Sequence, residues 1–277
     1  MTAIPRQKIY ELLGGLEGKV ALYVEDLTSG ELFTLCADEV HVACSLVKVP
    51  IMALILKDAE EGGTRLEEKI TIPPAKRVGG TGLICHLEPE VELSWRDVMK
   101  LMIIVSDNSA TNAVIDLLGI ERINAFFKSI GLTSTELQRK MMDLEAIKAG
   151  RNNYTTAADM GRLLKLAATG SLVNRKVSDA VIETMSRQLY TSKLPALLPG
   201  VPASVSPEEK WNPLPGTVTV ANKTGDLPKT EHDVGLFILP GGKKYVVAML
   251  TSQLASEKEG IACIAKVSKA VYDALSQ

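Results

Sequence analysis

Ser45 and Lys48 stand three residues apart in His41-Val-Ala-Cys-Ser-Leu-Val-Lys-Val-Pro50, a stretch that runs on into Ile-Met-Ala-Leu-Ile-Leu-Lys57. The apolar run reads as a helix, and residues three apart on a helix share a face, so the hydroxyl and the amine are expected to be neighbours. A serine is a poor nucleophile without a base in hydrogen-bond reach, and an amine can be that base where its surroundings lower its pKa. The helix N-terminus also offers unpaired backbone N–H groups able to hold a developing oxyanion. S-x-x-K alone decides little, because a chain of this length should contain about one by chance.

Two further sets carry polar chemistry. Ser106-Asp-Asn108 falls between apolar helical stretches at 98–105 and 110–118. Burying such groups unpaired would cost about 1–3 kcal/mol each. They therefore either have partners or do no more than cap the second helix. Lys223-Thr-Gly225 closes an alternating, strand-like stretch. A lysine and a threonine on a strand edge, with a glycine that lets a ligand approach, suit a carboxylate, although K-T-G by itself usually marks a solvated strand end.

The elements that must position these sets follow from patterning. Residues 5–13 read as a short helix, and 19–27 with 31–36 as a β-hairpin across Thr28-Ser-Gly30. The Ser45 helix stops at Gly62-Gly63, and an irregular stretch with Pro73-Pro74 and Gly79-Gly-Thr-Gly82 follows. Helices are expected at 98–105, opened by the cap Ser94-Trp-Arg-Asp97, and at 110–118, 121–130, 156–168 and 174–188. Residues 136–153 are charged and aperiodic, a surface loop with one helical turn. Six prolines between Pro195 and Pro215 mark a connector that is neither helix nor central strand. Strands then return at 217–223, 233–239 and 244–251, before a helix opened by the capping box Ser256-Glu-Lys-Glu259. Strands at both chain ends can form one antiparallel sheet covered by the terminal helices. The expected fold is thus α+β, with an α/β lobe from residues 1–42 and 195–277, an all-helical lobe from 43–194, and the active site between them.

The 277 residues, 46% hydrophobic and 23% charged with net charge -2, describe a globular protein with ample core. That charge gives no reason to expect nucleic acid or an anionic membrane as partner. Cys36, Cys44, Cys85 and Cys263 contain no C-x-x-C pair, and His41, His86 and His232 form no ligand motif. Free, mostly buried thiols are expected, with no metal and no cofactor. No apolar run reaches the length of a membrane span and the first residues lack a signal-peptide pattern, so localisation stays open. A monomer is expected.

Taken together, S-x-x-K, S-D-N and K-T-G occur in one order, each in the structural context its role requires. The chain resembles the penicillin-recognising serine enzymes, and the class A β-lactamase group most closely. The resemblance covers nearly the full length. It includes Ser45-Leu-Val-Lys-Val-Pro50, Ile104-Val-Ser-Asp-Asn-Ser-Ala-Thr-Asn112, the Thr155-Thr156 helix start and Asn222-Lys-Thr-Gly225. It implies an acyl-enzyme on Ser45, with Lys48, hydrogen-bonded to it and kept partly neutral, as base. Ser106 would relay a proton to the leaving nitrogen, and Lys223 would bias that relay. Asn108 would bind the substrate's side-chain amide, and Lys223 and Thr224 its carboxylate. Gly225 and Asp226 complete the binding strand, with the oxyanion between the N–H groups of Ser45 and Asp226. Asp107 would be structural. His232 falls near where the family often presents an arginine to the carboxylate, and an exposed strand-end histidine is the equal alternative.

The resemblance breaks at the second base. The family's loop glutamate lies roughly fifteen residues before the paired threonines. The ungapped count lands on Lys140, with Leu144 where an asparagine is expected. Glu136, Asp143 and Glu145 are the nearby acids. Without a positioned base, deacylation should slow by roughly 10²–10⁴-fold. The position facing Cys44 in the family's disulfide falls near Leu227, so no bond is expected. Three functions stay open: a β-lactam hydrolase, slow or not; a D-alanyl-D-alanine peptidase, amidase or esterase inhibited by penicillin; and a sensor of β-lactams or peptidoglycan. The expected partner is a small β-lactam or a peptidoglycan-like peptide.

Overall fold

A computed structural model describes residues 4–200 and 216–277. Most of the proline-rich connector, including Pro202, Pro207, Pro213 and Pro215, lies outside the described residues. The chain opens with α1 (Arg6–Leu13), the hairpin strands β1 (Lys19–Asp26) and β2 (Leu32–Leu35), the two-residue β3 (His41–Val42) and α2 (Lys48–Glu60). After β4 (Lys69–Thr71) and β5 (Glu92–Ser94) come α3 (Trp95–Ile104), α4 (Asn108–Leu118) and α5 (Ile120–Ser129). The charged loop holds one short helix, α6 (Leu144–Lys148). It leads through β6 (Tyr154–Thr155) to α7 (Ala157–Ala168) and α8 (Arg175–Met185). β7 (Thr219–Leu227), β8 (Thr230–Ile238), β9 (Lys244–Ser252) and α9 (Glu257–Leu275) complete it.

The first hairpin and the last three strands join into one antiparallel sheet in the order β2-β1-β9-β8-β7. K-T-G therefore lies on an edge strand. The central strands are buried along nearly their whole length because both faces are covered. Leu22, Val24, Val247 and Phe237 pack with Ile264, Val267 and Val271 of α9. Ala21, Val234, Val246 and Ala248 face the other way, onto Ile51, Leu163, Leu164 and the helical core. That is the period-2 alternation of a strand serving two layers.

Side-chain caps fix several helix starts where the sequence places them. Ser94, Thr156 and Ser256 accept from the backbone N–H groups of Asp97, Asp159 and Glu259. The middle of the chain is not all-helical. β4 pairs with β5, and His41–Val42 of β3 pairs with Tyr154–Thr155 of β6. The latter ladder ties the charged loop to the strand leading into Ser45. Among the described residues no helix is long and apolar enough to cross a membrane.

Candidate active site

Ser45 does not lie in the helix itself. It sits in the turn just before α2, where the Lys48 N–H donates to the Ser45 carbonyl at 3.2 Å. The preceding Cys44 has φ +49°, in the left-handed region that non-glycine residues rarely adopt. Ser106, between α3 and α4, is likewise left-handed at φ +54°. Such strain persists only where surroundings over-determine it. Here the Ser106 carbonyl accepts from Lys48 Nζ at 2.7 Å and from Thr81 Oγ1 at 2.7 Å.

The three motifs meet at Ser106 Oγ. It donates to Ser45 Oγ at 2.9 Å and lies 3.0 Å from Lys48 Nζ and 3.1 Å from Lys223 Nζ. The expected hydrogen bond from Lys48 straight to Ser45 is replaced by this two-step connection. Lys48 spends its donors on both Ser106 oxygens and on Asn108 Oδ1 at 2.9 Å. Both lysines are fully buried. Burial first, then the neighbouring Lys223 charge, hold the Lys48 amine well below its ordinary pKa. Burial also lowers Lys223, to about 8, partly offset by Asp226 and Asp233. Lys223 thus keeps its charge at neutral pH, while the charged form of Lys48 is strongly disfavoured by its surroundings.

The neighbouring polar residues divide into structural and available groups. Asp107 caps α4 through the Ala110 N–H and also accepts from the Leu83 and Ile84 N–H groups at 2.6 and 2.9 Å. Asn108 bridges Lys48 to the Gly79 carbonyl, with its Nδ2 2.9 Å from that oxygen. A substrate amide would therefore have to share or displace the Gly79 contact. Thr224 Oγ1 is buried with no hydrogen-bond partner, a vacancy that a ligand oxygen could fill. Gly225 has another reason than ligand approach. A Cβ there would stand 3.0 Å from Cys44 Cβ and 3.4 Å from Leu46, so the glycine lets the Ser45 turn pack on β7.

His232 is neither substrate-facing nor exposed. It is fully buried, its Nε2 lies 2.9 Å from the Val42 carbonyl, and Nδ1 accepts from the Thr251 N–H at 3.1 Å. Burial pushes its pKa down to about 4, so the ring is neutral and joins β8 to β3 and β9. The cation at this end of the sheet is Lys193, which the motifs did not flag. Its Nζ pairs with Asp226 and, at 2.5 Å, with Glu231, and donates to the His232 carbonyl at 3.1 Å. A lone lysine ahead of a proline-rich stretch carries no pattern that could have revealed it.

Ser45, Asn108 and Asp226 line a cavity of about 510 Å³ whose loop wall is Arg139, Met141, Met142, Leu144 and Ile147. Of the three acids named as deacylation bases, none lines it. Glu136 accepts from Gln138, Asp143 caps α6 through the Ala146 N–H, and Glu145 pairs with Lys148. Lys140 points away, to Asp116, and it is Met141 that faces in. Both Met141 backbone groups are clamped by the Asn112 side chain, at 2.8 and 3.0 Å. All four cysteines are free, as expected, although only Cys263 is buried.

A serine–lysine–serine network at the junction of a sheet edge and a helical layer is the arrangement of a serine hydrolase. The chain belongs to the beta-lactamase enzyme family, whose model matches residues 4–275. It is similar to the beta-lactamase of Streptomyces albus G, 27% identical over 252 residues that cover 87% of this chain and 76% of that one. With the beta-lactamase of Bacteroides uniformis it shares 26% identity over 68% of this chain, spanning 62% of that protein. The solved structure of PBP-A is similar with a TM-score of 0.83 and 28% identity, covering 98% of this chain and 95% of the other. A mutant of PBP-A has been solved as its acyl-enzyme complex with penicillin G. The chain is a class A β-lactamase-like serine hydrolase.

Proposed function

We propose that Ser45 is acylated by β-lactams and that the acyl group leaves slowly. The observation that supports this best is the unbroken chain from Ser45 Oγ through Ser106 Oγ to Lys48 Nζ. As Ser45 attacks the amide carbonyl, the Ser106 hydroxyl turns from Ser45 toward Lys48, takes the Ser45 proton and passes its own to the Lys48 amine, whose pKa is held low. Lys48 then returns a proton through Ser106 to the leaving nitrogen, breaking the C–N bond and leaving the ester on Ser45. Lys223, still charged at neutral pH, and the unpartnered Thr224 hydroxyl take the substrate carboxylate. Asn108 takes the side-chain amide, and the Ser45 and Asp226 N–H groups take the oxyanion.

Release of the ester needs an activated water. None of the described loop residues that line the cavity with Ser45 is a carboxylate. This favours a second reading of the same chemistry, a D-alanyl-D-alanine peptidase or related amidase or esterase that β-lactams inhibit. Labelling with a fluorescent penicillin, followed by a denaturing gel, tests the nucleophile: the label should mark the wild type and be absent from Ser45→Ala. Release of D-alanine from a diacyl tripeptide separates the readings, since a β-lactam hydrolase without peptidase activity releases none.

A further inference from the structure

The short helix α6 is built the wrong way round for a surface element. Ala146 turns into the protein, while Leu144 and Ile147, three apart on the opposite side, are 57% and 38% exposed. The preceding Met142 is 43% exposed, and Leu227, on the strand across the cavity, 42%. All four line the cavity that holds Ser45. Large apolar side chains left uncovered in one cavity, on the loop and on β7, with Asp226, Glu231 and Glu257 also lining it, mark a place where apolar ligand surface is received.

The walls are formed in advance. Asp143 caps α6 and Asn112 clamps Met141. Met142 sits at φ +60° against Gly80, where a Cβ would stand 2.9 Å from its sulfur. The charged group on the loop side, Arg139, is committed. Its Nε and Nη2 donate to Asn152 Oδ1 and its Nη1 to the Lys140 carbonyl. A charged substituent entering here would lose water and find no free partner on that wall, whereas methylenes would gain burial.

We infer that this cavity selects substrates whose acyl half carries a long apolar chain, lodged between Met142, Leu144 and Ile147 on one side and Leu227 on the other. The inference rests on the acyl-enzyme reading only for the orientation of the substrate, with its scissile carbonyl at Ser45 and its acyl substituent along the loop wall.

The test uses penicillins that differ only in the length of a straight acyl side chain, from acetyl to octanoyl. Binding is measured by calorimetry on Ser45→Ala protein, and acylation on the wild type. Affinity for Ser45→Ala should rise about three- to fourfold per added methylene over the first several. Adding Leu144→Asn and Ile147→Asn, both at exposed positions, should flatten that series. Leu32→Asn, at an exposed apolar residue on the far strand β2, should leave its slope intact. A flat series on Ser45→Ala, or an unchanged slope in the double variant, overturns the inference. A steep series together with no acylation of the wild type by any member would instead sink the acyl-enzyme reading and leave the apolar subsite standing.

Discussion

Ser106 Oγ lies 2.9 Å from Ser45 Oγ and 3.0 Å from Lys48 Nζ, so the hydroxyl is the only described bridge between nucleophile and base. Ser106→Ala should therefore slow acylation by roughly 10²–10⁴-fold, the range for removing a positioned proton-transfer group. Lys48→Met should do the same. Stopped-flow acylation by penicillin, with circular dichroism to confirm the fold, reads both. Loss of less than about threefold in Ser106→Ala would mean that Lys48 reaches Ser45 without it.

The two lysines make acylation pH-dependent with a definite sign. Lys48 is held well below its ordinary pKa, while Lys223 loses its charge as pH rises through about 8. The second-order acylation rate for a carboxylated β-lactam should thus fall above that pH. Lys223→Ala should be slow throughout and lack the alkaline limb, since the titrating group is gone.

His232 links stability to acid. Its folded pKa of about 4 lies below the ordinary 6.5. Between those values the unfolded chain binds a proton that the folded chain refuses, so stability rises with pH across this window. The contribution is fully present above about pH 6.5 and lost by about pH 4, on the order of 3 kcal/mol in all. Neighbouring Asp233, raised to about 6, contributes with the opposite sign, so the informative quantity is a difference. Urea unfolding at several pH values should show a dependence in the wild type that is reduced in His232→Asn.

Asp107 should be structural rather than chemical. It is 1% exposed and accepts from three backbone N–H groups. Asp107→Ala should cost about 2–4 kcal/mol, from a lost cap plus two buried donors left unpaired. Denaturant midpoints measure it.

The chemistry was legible because it is carried by residue types at short spacings. S-x-x-K, S-D-N and K-T-G each sit on one turn or strand, and the caps at Ser94, Thr156 and Ser256 mark the elements that hold them. What stayed hidden depends on long-range packing. That Ser106 stands between Ser45 and Lys48 follows from the left-handed turn at Ser106, which no propensity announces. Lys193 gains its place only when β7 and β8 bring Asp226 and Glu231 beside it. Burial of His232 depends on β3 lying over β8. Which of Lys140 and Met141 turns toward the cavity depends on what α4 offers, Asp116 outside and Asn112 within.

Met141 makes the missing base testable by addition. A glutamate there would enter the cavity on a backbone already clamped by Asn112. Met141→Glu should speed release of the penicilloyl group by roughly 10²–10⁴-fold with little change in acylation. Release from pre-acylated protein, followed by recovery of fluorescent-penicillin labelling, measures it.

The central claim, acylation at Ser45 with slow release, is met most directly by an intact-mass time course with excess penicillin, run beside Ser45→Ala. One penicilloyl adduct should form on the wild type and persist long after free penicillin is removed, with none on the variant. An adduct on Ser45→Ala, or rapid consumption of penicillin with no adduct accumulating on the wild type, would contradict it.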